Sequence, residues 1–337
     1  MFSQNWSRRT LACLASIVII AGLLPSSAAA QYAVTNLVSN QKGKAKHRDK
    51  DLVNAWGISF FPGNPFWVSD AGTGKSTLYD NHGVKQGLVV TIPPGPGNSV
   101  GSPTGQVANG TSDFKISGSP ALFIFATFDG TISGWNAGTS AVIAVTAASG
   151  TSYTGLASGQ SKGANFLFAA DEAHNKVDIY DGSFKLVRSF TDKKLSGFSP
   201  YGIQNINGQL FVTFVNSLYG NGVVDIFDTT GKLIKTLTKS SRLNAPWGLA
   251  LAPKNFGPAS NALLVGNLGD GRINAFNAKT GKFMGSLKDT TNKVIRVDGL
   301  WGLTFGGGGV SGKPNQLFFA AGPNGYANGL FGVINFK

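Results

Sequence analysis

Apolar residues in this chain come in short runs, each only a few positions long and each ended by Gly, Asn, Asp or Pro. Some runs are apolar at nearly every position, as in Phe66–Ser69, Phe166–Ala170, Gln209–Phe214, Ala262–Val265 and Leu317–Ala321. Such runs suit strands covered on both faces. Others mix apolar and polar positions, as in Ser76–Tyr79, Lys176–Tyr180, Val223–Phe227 and Arg272–Phe276, and suit strands beside them. Asp-Gly pairs such as Asp129-Gly130 and Asp181-Gly182 supply hairpin turns. No segment holds a 3.6-residue period with caps at its ends, so the pattern predicts an all-β chain.

A small motif sets the arrangement of these strands. A Trp, Tyr or Thr, then Gly, then usually an aliphatic residue recurs with Gly57, Gly105, Gly155, Gly202, Gly248 and Gly302 at its centre. The intervals are 48, 50, 47, 46 and 54 residues, a period that suits one four-stranded blade. In the first period Trp56–Phe61, Phe66–Ser69, Ser76–Tyr79 and Gly87–Ile92 read as inner to outer strands. The sixth period ends after Leu317–Ala321 and Leu330–Asn335 with no outer strand, while Tyr32–Val38 precedes the first motif unassigned. Pairing the two closes a ring and removes an exposed sheet edge. The expectation is a six-bladed β-propeller over residues 31–337, sealed by its N-terminal strand.

Three segments carry a resemblance: Asn54-Ala55-Trp56-Gly57-Ile58, Phe125–Asn136 and Ala245-Pro246-Trp247-Gly248-Leu249. The start of the inner strand is similar to NHL-repeat propellers. The whole of 31–337 resembles a family of exported bacterial proteins of uncharacterised function, some with a PEP-CTERM sorting tail. That resemblance implies the fold and an exported setting, and it brings no catalytic residues. No such tail follows Phe336-Lys337.

The N-terminus fits that setting. Arg8 and Arg9 precede an apolar run, Leu11–Leu24, and Ala28-Ala29-Ala30 offers a cleavage site, so residues 1–30 read as a signal peptide. The paired arginines also resemble a twin-arginine export signal. The expected location is secreted or periplasmic. Cleavage removes the single cysteine and lowers the net charge from +13 to +11. A charge of that size favours anionic partners. Lys42, Lys44, Lys46 and Arg48, with Lys50, form the densest basic stretch and are the candidates for a polyanion contact. No nucleic-acid motif accompanies them.

Chemistry is harder to read. No phosphate loop with correct spacing occurs. Propeller topology places the starts of the inner strands on one face with the turns after the second strands. That face is expected to gather Trp56, Tyr201, Trp247 and Trp301 with Asp70, Asp171, Glu172 and His174. Aromatic faces and carboxylates together suit ligand binding, although Asp and Asn beside Gly are also ordinary turn residues. Asp171, Glu172 and His174 supply oxygen and nitrogen donors for a divalent metal. The reading is a monomeric binding scaffold for protein, glycan or polyanionic envelope material, with a metal-dependent hydrolase or lyase as the alternative.

Overall fold

Strands that are apolar on both faces need cover from two sides, and a ring of sheets packed face to face supplies it. The computed structural model describes Met1, residues 31–216, Leu218 and residues 220–337. Apart from Met1, the segment 1–30 read as a signal peptide lies outside the described residues.

Six antiparallel sheets follow one another in chain order. Blade 1 runs Ala55–Ser59, Phe66–Asp70, Lys75–Tyr79 and Lys85–Thr91 from inside to outside. The inner strands of blades 2 to 6 are Pro103–Ala108, Tyr153–Ser161, Ser199–Ile206, Pro246–Leu251 and Leu300–Phe305. All six repeat glycines lie in these inner strands. Neighbouring inner strands touch in cyclic order, the sixth returning to the first. A small hairpin, Lys115–Ile116 with Ser119–Pro120, is inserted into blade 2, and a single 3-10 turn, Gly257–Ala259, into blade 5.

The core is divided into six apolar clusters, one between each pair of adjacent blades. Between blades 6 and 1, Phe66, Phe318 and Phe331 pack together, with Phe66 and Phe318 centroids 4.4 Å apart. Blades 1 and 2 meet through Trp67 stacked on Phe123 at 4.0 Å. Burying whole aromatic side chains of this kind stabilises each interface by about 2–3 kcal/mol per ring.

The expected seam is present. Tyr32–Ser39 pairs antiparallel with the last strand of blade 6, Leu330–Phe336, from Tyr32 opposite Phe336 to Ser39 opposite Leu330. Its side chains serve both neighbouring interfaces. Leu37 and Val38 join the cluster between blades 6 and 1, while the Tyr32 hydroxyl donates to the Phe256 carbonyl of blade 5 at 2.9 Å. The basic stretch differs from the open loop read in the sequence. After a turn, His47–Arg48 pairs parallel with Val38–Ser39 and adds a fifth, outermost strand to the closing blade.

Each inner strand breaks register at its motif, between Ala55 and Ile58, for example, and between Leu300 and Leu303. The bulge presses the glycine against the next inner strand. A Cβ placed on any of the six glycines would lie within 3.0 Å of that strand, with backbone the closest contact in every case. Gly57 faces Thr104, Gly105 faces Leu156, Gly155 faces Tyr201, Gly202 faces Trp247, Gly248 faces Trp301, and Gly302 faces Trp56. Only glycine permits backbones to approach this closely.

Polar side chains also occupy the middle of third strands: Thr77, Ser133, Asp178, Asp225 and Asn274 are all buried. Asp178 is well served, accepting from Tyr153 at 2.8 Å and pairing with Lys176 at 2.9 Å. Among the described residues no cation pairs with Asp225. Burial pushes its carboxyl up to about 7, and the Asp192 carboxylate adds to the shift.

Three outcomes follow from this packing. Gly302→Ala should lower stability by at least about 2 kcal/mol in denaturant unfolding, because Trp56 carbonyl oxygen leaves no room for the methyl. Gly87→Ala, in an outer strand with open space around it, should stay within about 0.5 kcal/mol of the parent. For Asp225, the unfolded carboxyl ionises near pH 4 but the folded one only near 7, so the native state loses stability as pH rises between those values. Urea midpoints should therefore show Asp225→Asn gaining on the parent between pH 5 and pH 8; a constant difference would count against the buried acid.

Candidate functional site at the channel mouth

The bulge that seats each glycine also re-aims the residue before it toward the channel mouth. Six such residues form an inner tier: Trp56, Thr104, Thr154, Tyr201, Trp247 and Trp301. The rings fill the space the two threonines leave. Trp56 and Trp301 stack at 3.6 Å, and Trp247 meets them edge-on at 6.3 Å and 6.0 Å. Tyr201 lies 5.9 Å from Trp301. Trp247 Nε1 reaches across the mouth to donate to the Thr154 carbonyl at 3.0 Å, and Trp301 Nε1 donates to Asn54 Oδ1 at 2.9 Å. Trp56 Nε1 is buried with no acceptor among the described residues. The four aromatics therefore plug the mouth.

An outer tier surrounds the plug, set by one repeated backbone hydrogen bond. In five of the six blades the residue after the second strand donates its N–H to the chain just before the motif: Ala71 to Asn54, Phe128 to Ser102, Glu172 to Ser152, Leu268 to Ala245 and Gly322 to Gly299; in blade 4 the Asn216 N–H turns instead to the Asn221 carbonyl. Ala71 and Leu268 pack on the plug. Phe128 sits 6.3 Å from Trp56 and is half exposed. Tyr326, also half exposed, lies 5.6 Å from Trp301. Leu218, at the tip of the corresponding blade 4 turn, is 82% exposed.

Glu172 is the one acid among the residues that make this repeated hydrogen bond. It is half-buried, and its carboxyl is raised first by desolvation and then by the Asp171 charge. Its own charge in turn raises the Tyr201 hydroxyl, after burial and Tyr326. A rim of aromatics beside carboxylates, Glu172 and also Asp298, whose charge after burial raises the Tyr326 hydroxyl, is suited to apolar groups accompanied by a cation.

The remaining candidates divide. Asp171 and His174 are joined, Nδ1 to Oδ2 at 2.8 Å, but Asp171 is wholly buried and its other oxygen accepts from the Ser152 N–H at 3.2 Å. Its work is to hold the turn. Asp70 is wholly buried in blade 1, accepts from Thr77 at 2.8 Å, and is held well above the usual carboxylate range by desolvation. Among the described residues no group of three or more His, Cys, Asp and Glu side chains stands ready for a metal ion. Lys42, Lys44, Lys46 and Arg48 lie on the rim strand and its turn, exposed and without a carboxylate partner among the described residues. The basic set is thus distinct from the mouth.

Phe128, Leu218 and Tyr326 were missed by a search of those turns for acids and amides. Their position directly after, or within, the turn that ends each second strand is the signal that finds them.

Comparison with known proteins agrees on the architecture and leaves the activity open. No family profile matches the chain. It is 28% identical over 338 residues to Uncharacterized protein R648 of Acanthamoeba polyphaga mimivirus, covering 92% of this chain and 82% of that protein. Uncharacterized protein L690 of the same virus is also 28% identical, over 337 residues, covering 92% and 87%. Among solved structures, a catalytically inactive virginiamycin B lyase from Staphylococcus aureus with quinupristin superposes at a TM-score of 0.57 and 14% identity, covering 91% of this chain and all of that one. At that identity the likeness is one of fold: the chain is a β-propeller. These relatives are viral and give no support to the resemblance to exported bacterial proteins.

Proposed function

We propose that this protein is an exported interaction scaffold whose channel mouth docks a protein segment bearing apolar side chains and one Lys or Arg. The observation that carries the proposal is the half-exposed pair Phe128 and Tyr326 standing on a rigid aromatic plug beside the half-buried Glu172. Exposed aromatic area over a packed base is typical of interface centres. A glycan is less well suited, because Trp56 and Trp301 spend their faces on each other. Export rests on the leader read at Arg8, Arg9, Leu11–Leu24 and Ala28–Ala30. The free cations of Lys42, Lys44, Lys46 and Arg48 favour a second, salt-sensitive contact with polyanions on the rim of the closing blade.

A peptide and glycan array probed with the 31–337 chain tests both contacts. Peptides combining aromatic or aliphatic residues with Arg or Lys should be retained, and Phe128→Ala with Tyr326→Ala should weaken them at least about tenfold without shifting the melting temperature. Glu172→Gln should selectively weaken the cationic ones. Retention on a heparin column should fall when Lys42, Lys44 and Lys46 become alanine. Array binding indifferent to all three mouth substitutions would remove the docking proposal, and unchanged heparin retention would remove the polyanion contact.

A further inference from the structure

The far end of the channel is built quite differently from the mouth. Beyond the repeat glycines the inner strands carry a collar, including Ile58, Leu156, Ile203, Leu249 and Leu303, that narrows the channel to a cavity of about 30 Å³. Past the collar the strands diverge into an open vestibule of about 400 Å³. Five blades contribute to its wall, so its shape is set by the ring itself and not by a mobile loop.

Its chemistry is distinctive for a chain of net charge +13. None of the lining residues carries a charge. The hydrogen-bonding groups are the neutral side chains of Ser59, Gln106, Ser158, Gln204, Asn205 and Thr304. Two of the amides are committed within the wall, which leaves Ser158, Gln204 and Thr304 as the side chains open to a ligand. Gln106 donates to the Gly57 carbonyl at 2.8 Å and the Trp67 carbonyl at 3.0 Å, while Ser59 donates to its Oε1 at 3.2 Å. Asn205 donates to the Ser158 carbonyl at 2.9 Å. Gln204 is exposed on the same wall. The partly exposed apolar lining between these groups is Ile58, Phe60, Val107 and Ala108.

We propose that this vestibule binds a neutral saccharide of one or two rings. The volume lies within the range of small-molecule sites. A sugar presents hydroxyls that donate and accept equally well, which matches amide and hydroxyl walls, and C–H groups that pack on apolar patches such as Ile58 and Val107. An ion of either sign would shed part of its hydration here without meeting an opposite charge. The site is at the opposite end of the channel from the mouth, so it stands or falls independently of protein docking there.

Saturation-transfer NMR and calorimetry on the 31–337 chain provide the test. The probes are methyl glucoside, cellobiose and N-acetylglucosamine, with glucosamine and glucuronate as charged counterparts. At least one neutral probe should bind with a Kd of about 1 mM or tighter. Gln204→Ala and Thr304→Val should each weaken it by about tenfold, while Phe128→Ala with Tyr326→Ala leaves it unchanged. Both vestibule side chains are partly solvent-exposed, so the fold should survive and far-UV circular dichroism will confirm that it does. No neutral probe bound at about 20 mM, binding indifferent to both vestibule variants, or equal binding of the charged counterparts would overturn the proposal.

Discussion

The molecule depends on backbone meeting backbone around a closed circle. Each repeat glycine is pressed by a bulge against the next inner strand, and the sixth contact, Gly302 against Trp56, returns to the first blade. A side chain at any of these positions would push neighbouring blades apart, and in a ring that displacement has nowhere to go. The six apolar clusters between blades add most of the burial, but the glycines set the radius at which those clusters can form.

The mouth follows from the same constraint. Bulging the chain at glycine turns the preceding residue toward the axis, so the repeat that closes the ring also delivers three tryptophans and a tyrosine to one point. They pack on each other because four large rings share a narrow opening. The far end receives the strand after the glycine, where neutral polar residues line the widening channel. The two ends therefore differ in chemistry although one motif builds both. Just outside this rigid centre lie side chains open to solvent, Phe128, Glu172 and Tyr326 at the mouth and Gln204 and Thr304 beyond the collar.

Much of this architecture is legible in the residues. The even glycine spacing gives the blade count, and the missing outer strand together with the spare Tyr32–Val38 segment gives the seam. The fifth strand at His47–Arg48 was not legible, since two charged residues show no alternation and pair only because the turn folds them back beside Val38. The aromatic residues of the mouth were legible as a set, but their mutual packing was not. It depends on Thr104 and Thr154 leaving room on the opposite side. Asp171 and His174 looked like metal donors by spacing alone, whereas burial and the Ser152 N–H commit Asp171 to the turn. Sequence spacing does not report which lone pairs are already in use.

The claim on which everything else rests is that the ring is closed by its N-terminal strand. Removing residues 31–39 and following thermal unfolding tests it directly. The closed ring predicts a melting temperature lower by at least about 10 °C, with recovery when a synthetic Tyr32–Ser39 peptide is added back. An unchanged melting temperature in the shortened chain would contradict it.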